Sequence, residues 1–272
     1  MRSARPWWNK VDPNATEIRQ VGDAAIDALP GDARTELAAI WQERGASELK
    51  VAGGFSALAA QLIEHGTADG VLKLVSRAVR DEVHHAEIAV EMAARYRSSE
   101  IAWPPPSPFP VPVLAPADGR LRATLLVIAM CCINETLACG ILEGQLSLAT
   151  SPLTRAALQT VLADEIDHAR AGWAHISTPF VTTAMKAEIA AGWLPRLLDA
   201  RLRDLVEVDA PFPGEQLPEH GILTRTARKQ IVATALEDVV FPGFARSGID
   251  PAKAREWASR AFGPSRATAS AS

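Results

Sequence analysis

The chain has 272 residues, 48% of them hydrophobic and 22% charged, an ordinary composition for a globular chain with enough length for a sizeable core. Its net charge of −4, the lack of Lys/Arg clusters and the single Tyr argue against nucleic acid as a partner. Cys131, Cys132 and Cys139 form no CxxC pair, so neither a disulfide framework nor a zinc spacing is present, and a reducing, cytoplasmic setting is expected.

Taken in order, residues 1–31 mix Pro, Asp and Asn with short apolar pieces and read as an N-terminal arm, with a short helix over about 15–29. No apolar signal segment follows Met1. From Asp32 or Thr35 to about His65, Leu37, Ile40, Trp41, Leu49, Ala52, Phe55, Leu58 and Leu62 recur at helical steps, although Gly45, Gly53 and Gly54 should weaken the helix locally. Gly66 to Gly70 signals a tight turn, and a second helix is predicted over 71–96. Seven prolines between 104 and 116 then forbid a helix. At ~3.1 Å per residue, segment 98–119 reaches on the order of 60 Å, more than the length of a domain.

A third helix is predicted over 120–148 and a fourth over 152–176, joined by the short turn Ala149-Thr150-Ser151. The apolar run 123–133 is too short to span a bilayer, so no membrane role is expected. Short loop, long crossover, short loop is the ferritin-like form of an all-α four-helix bundle, here over residues 32–178. Residues 179–262 should add helices over 184–208, kinked at Pro195, over 224–240, ended by Pro242-Gly243, and over 251–261. These pad the bundle or offer a homodimer surface, and the Ser/Ala-rich tail 263–272 is expected to be disordered.

The second helix of each predicted hairpin carries the same hexapeptide pattern. It reads Asp81-Glu82-Val83-His84-His85-Ala86 and then Asp164-Glu165-Ile166-Asp167-His168-Ala169. Glu and His three apart share a helix face, so each copy offers a carboxylate and an imidazole to one point. In a hairpin, residues equidistant from the turn lie side by side. Glu165 should therefore face Glu135, an acid in an otherwise apolar stretch that needs a cation to be buried. Glu48 precedes Glu82 by 34 residues, close to the 30 between Glu135 and Glu165, and is chosen over Glu43 and Glu64.

The candidate ligand set is Glu48, Glu82, His85, Glu135, Glu165 and His168. Four carboxylates neutralise two divalent cations, and oxygen and imidazole donors without thiolate suit iron or manganese. The leading aspartates are placed to hold the far imidazole nitrogens across the bundle, Asp81 to His168 and Asp164 to His85.

With these residues the chain resembles the ferritin-like di-iron carboxylate superfamily, and more narrowly bacterial ferritin-like proteins of similar size. The likeness rests on Trp41-Gln42-Glu43-Arg44-Gly45-Ala46-Ser47-Glu48, on Asn134-Glu135-Thr136-Leu137-Ala138 and on the second hexapeptide. It covers about residues 36–178 and extends loosely to 237–242. It implies that Glu82 and Glu165 bridge two Fe ions (Mn or a mixed Fe/Mn pair being the other occupants), with Glu48 and Glu135 terminal and one His per metal.

Such a centre activates O2. The expected function is therefore an oxygenase or oxidase of a small organic substrate that draws on an external electron donor. A ferroxidase or peroxide-scavenging iron protein is the second reading, and a non-catalytic helical interaction protein the third. Small residues around the ligands (Ala52, Ala78, Cys131, Cys132, Ala138, Cys139, Gly172) are expected either to line a pocket or to serve close packing. No Tyr flanks the motifs, which disfavours a tyrosyl-radical site. Ala138 stands where a rubrerythrin-like site has an extra Glu, and Ala138 and Cys139 stand where several hydroxylases and desaturases have Thr.

Overall fold

The computed structural model describes residues 18, 21–105, 118–208 and 210–263. These form helices without a strand. The N-terminal arm up to residue 17, most of the proline-rich crossover (106–117) and the tail from 264 lie outside the described residues. Of the helix expected over 15–29, residues 15–17 and 19–20 lie outside the described residues; helix α1 is one turn, Ala24–Asp27, capped by Asp23 and soon followed by Pro30.

Helix α2 (Gly31–His65) is continuous through its glycines and ends at Gly66, whose φ of +73° only glycine adopts at low cost. Gly45 does more than weaken the helix: a Cβ there would already touch Ala86 O and Ala89 Cβ of α3 (Asp69–Arg97) at 3.4 Å, so the two helices approach closely. Helix α4 comprises Gly119–Val127, a π-helical stretch Ile128–Glu135, and Thr136–Leu148. Asp118 caps its start, accepting from Arg120 N at 2.7 Å. Ser151 caps α5 (Pro152–Ile176), with Pro at the position where its missing N–H costs nothing.

Helices α2 and α3 form one hairpin and α4 and α5 a second. The hairpins meet through α3 against α5 and α2 against α4. Their interior has two apolar plugs. Trp41, Ile88, Met92, Tyr96, Leu158 and Val161 pack toward one end, and Phe55, Leu58, Leu62, Val75, Met130 and Cys131 toward the other. Between them in sequence, on all four helices, lie the candidate ligands.

A further layer covers α4. Helix α6 runs through Thr183–Glu188, a π stretch Ile189–Trp193 and Leu194–Glu207; α7 through Arg225–Ala235, a π stretch Leu236–Val240 and Phe241–Arg246; and α8 is Ala252–Phe262. Pro242 therefore does not end its helix, contrary to expectation. The π turn before it widens the helix where a proline ring would otherwise meet the preceding turn. The layer buries Leu125, Ile128, Ile133 and Leu137 of α4 against Leu194, Leu198, Val232, Val240, Phe241 and Phe244. As one continuous helix of 30 residues, α4 is long and apolar enough to cross a membrane, which the shorter apolar run in the sequence did not suggest, but 67% of that apolar window is buried within the protein.

Candidate metal centre

The two hexapeptides face each other across α3 and α5. His168 Nδ1 donates to Glu165 Oε2 at 2.9 Å and lies 3.1 Å from Glu82 Oε1. His85 Nδ1 stands 3.6 Å from Glu82 Oε2 and 3.5 Å from Glu165 Oε1. Both imidazoles thus present the same nitrogen to the same two carboxylates, and their ring centroids are 6.0 Å apart. Glu48, Glu82, His85 and Glu165 each bring a ligand atom within 4.8 Å of the others, a grouping able to hold a metal ion.

The other nitrogens point outward in a crossed pattern. His85 Nε2 donates to Asp164 Oδ2 at 3.3 Å, and His168 Nε2 lies 3.6 Å from Asp81 Oδ2. Asp164 thus bonds the histidine of the opposite motif, while Asp81 lies at ion-pair but not hydrogen-bond distance from His168. That arrangement orients each ring with Nδ1 turned toward the central carboxylates.

Glu135 lies beside the tight group of four. It is buried, accepts from Asn134 Nδ2 at 3.1 Å, and lies within the electrostatic reach of Glu165, Glu82 and His168. Its carboxyl is pushed well above the usual range by burial, then by the charges of Glu165 and Glu82. Glu48, partly buried one turn after Arg44, is raised to about 8, again by burial first and by Glu82 next. Burial lowers His85 and His168, yet the acids around them more than offset it and raise both imidazoles.

The donors fit a cation. Both oxygens of Glu82 and Nδ1 of His85 are buried without a hydrogen-bond partner among the described residues. Buried polar atoms of this kind are normally satisfied, and a divalent ion between the two motifs would satisfy all three.

Arg77 is a participant that the sequence reading missed. Its Nε lies 3.0 Å from Asp81 Oδ2, its Nη2 3.0 Å from Asp164 Oδ1 and its Nη1 3.2 Å from Asp167 Oδ2. One guanidinium thus clamps both aspartates that hold the histidines. The signal was present, since Arg77 precedes Asp81 by one helical turn, but the partners on α5 are visible only in three dimensions. The rejected acids, Glu43 and Glu64, are exposed.

The small residues divide between the two expected roles. A Cβ on Gly172 would meet Cys131 Cβ at 2.6 Å and Cys132 N at 2.8 Å, so that stripe allows α4 and α5 to pack closely. Cys139 instead lines a cavity of about 700 Å³ with Thr136, Ala169, Trp173, Ile231 and Ala235, between α4, α5 and α7. A second cavity of about 370 Å³ opens between α2, α4 and α6; Ser47, Val51, Met130 and Asn134 line it, and none of the candidate ligands does.

Three other histidines have hydrogen-bond partners of their own. His175 is fully buried between Thr67 Oγ1 (3.3 Å) and Thr124 Oγ1 (3.2 Å), and burial lowers it to about 4. His220 is buried in a 3₁₀ turn, its Nδ1 2.9 Å from the Tyr96 hydroxyl. His84 pairs with Glu87 at 2.9 Å.

Compared with models of protein families, with curated proteins and with solved structures, the chain matches none of them.

Proposed function

We propose that the chain is a ferritin-like di-iron carboxylate protein that activates O2 to oxidise a small organic molecule with electrons from an external donor. The observation that carries this reading is the crossed pair. Two Glu-x-x-His motifs turn their Nδ1 atoms to shared carboxylates and their Nε2 atoms to each other's aspartates. A structural salt-bridge cluster has no need to leave Glu82 and His85 Nδ1 without hydrogen bonds.

In this reading Glu48, Glu82, His85, Glu135, Glu165 and His168 would hold the two ions, which would supply the redox chemistry that activates O2. The chain's own part is preorganisation: Asp81 and Asp164 keep the imidazoles oriented, Arg77 keeps the aspartates in place, and the two apolar plugs exclude bulk water. A cavity next to Ser47 and Asn134, neighbours of Glu48 and Glu135, leaves room for an organic substrate and favours oxygenase or oxidase chemistry over iron storage.

Metal analysis after anaerobic Fe(II) loading tests the centre. About two iron or manganese ions per chain are expected in the wild type. Glu135→Ala should hold one or none with unchanged helical circular dichroism. A wild type that folds but retains no metal would sink the di-metal reading, and unchanged metal in Glu135→Ala would remove Glu135 from it. Oxygen consumption by the loaded protein then separates the chemistries: turnover of Fe(II) alone, unaffected by any organic cosubstrate, would make it a ferroxidase.

A further inference from the structure

The cavity of about 700 Å³ is a cleft with α4 as its floor and α5 and α7 as its walls. Both walls pack on α4, and Trp173 of α5 meets Phe244 of α7, their ring centroids 5.2 Å apart. Two glycines seat the bulky side chains of these walls. A Cβ on Gly144 would collide with Ile231 Cδ1, and one on Gly243 would stand 2.6 Å from Trp173 Cζ3.

The cleft reaches the candidate metal centre. Cys139 and Ala169 line it, and each follows a candidate ligand, Glu135 and Glu165 respectively, by one helical turn, about 6 Å along the axis. Thr136, next to Glu135, lines it as well. The smaller cavity lies on the α2 and α6 side of α4 and brings Lys50, Arg201 and Asp204 into its wall.

The lining of the cleft is graded. Thr136 and Ala169 are buried, and Cys139, Trp173, Ile231 and Ala235 are half-buried. Glu143, Arg170, Gln230, Thr234 and Asp238 are exposed at the mouth. Thr136 and Trp173 satisfy each other's polar groups, Trp173 Nε1 donating to Thr136 Oγ1 at 3.2 Å. An occupant therefore meets apolar surface inside. Ile166 and Val239, each 44% exposed, carry that surface out to the mouth, where two large apolar side chains in water have no other evident use. Arg170 is paired with Asp167, which leaves Glu143 and Asp238 to set the charge there. That charge repels an organic anion, and an ionic group of either sign would lose its hydration inside.

We propose that this cleft binds an uncharged, largely apolar molecule of ring or medium-chain size, its inner end held between Cys139 and Ala169. As an assignment of substrate class this rests on the proposed function; as a binding site it does not. Pockets for organic ligands run to about 300–1,000 Å³, so the cleft takes such a molecule whole.

The test is calorimetric titration of the full chain, chelated and metal-loaded, with 2-naphthol, 1-octanol and the anion 2-naphthoate. Saturable binding of both alcohols is expected in both forms, with 2-naphthoate about tenfold weaker or more. Ala235→Phe fills the cleft from α7 and Thr234→Trp blocks its exposed mouth; each should weaken 2-naphthol about tenfold or more. Ala200→Phe, which fills the smaller cavity, should leave that affinity unchanged. Circular dichroism and Tm without ligand verify that each variant folds, and Thr234, being exposed, tolerates the added volume. Absence of saturable binding by the alcohols, equal binding of 2-naphthoate, or a loss in Ala200→Phe in place of the cleft variants would overturn the proposal. So would a homodimer that Thr234→Trp breaks, because a second chain would then cover the cleft. Binding is read without turnover and also without metal. Failure here therefore leaves the metal counts untouched, and failure of metal binding leaves the ligand site standing without its role as a substrate site.

Discussion

His175 and Arg77 show how far single side chains can be pressed for predictions. His175 is buried neutral, lowered to about 4 from an unfolded value near 6.5, so the folded state binds its proton later than the unfolded one. Its contribution to stability is complete above pH 6.5 and is lost progressively as pH falls to about 4, on the order of 2–3 kcal/mol in all. Urea unfolding of wild type and His175→Gln at pH 7 and pH 4.5 checks this: the gap between them should narrow in acid. Arg77 is 43% exposed, and each of its ion pairs alone is worth little to folding. Its value lies in orienting two aspartates, so Arg77→Met should leave Tm within a few degrees yet weaken metal binding about tenfold. A competitive chelator titration measures that, and Arg77→Lys, a single point charge, should rescue only in part.

At the scale of the element, the close approach of α4 and α5 depends on Gly172. An added Cβ meets backbone at Cys132 N as well as the Cys131 side chain, and backbone cannot swing aside. Gly172→Ala is expected to cost about 1–3 kcal/mol through overpacking, read from the denaturation midpoint. Helix α4 also carries the π stretch that ends at Glu135. A π turn is one residue longer than an α turn, so it sets which face Glu135 presents. Deleting Ala129 should convert the stretch to α geometry and shift the Glu135 carboxylate relative to Glu165. Helical content would survive and the metal count would drop; a deletion that keeps full metal would show that the stretch has no bearing on the site.

For the whole molecule, the outer layer of α6, α7 and α8 belongs to the fold rather than decorating it. It shares one apolar core with α4, so removing residues 179–272 would expose Leu125, Ile128, Ile133 and Leu137 together. The truncated chain should aggregate or bind a hydrophobic dye strongly, whereas a self-sufficient bundle would stay monomeric and dye-silent. Helix α6 of the same layer also closes the 370 Å³ cavity, through Leu197, Ala200 and Arg201.

The sequence alone determined the helices and the pairing of the two hexapeptides. Local periodicity, turn residues and proline placement act within a few residues, so they are legible without tertiary information. The crossed Asp81–His168 and Asp164–His85 contacts followed as well, because hairpin registers and a three-residue spacing leave few alternatives. Glu135 and Glu48 could be named, but not how tightly each joins the group, since the π stretch in α4 depends on packing against α5 and α6 rather than on any residue type. The helix through Pro242 and the Arg77 clamp were decided only by the tertiary structure. Each depends on side chains far apart in sequence meeting across helices whose relative placement no local pattern encodes.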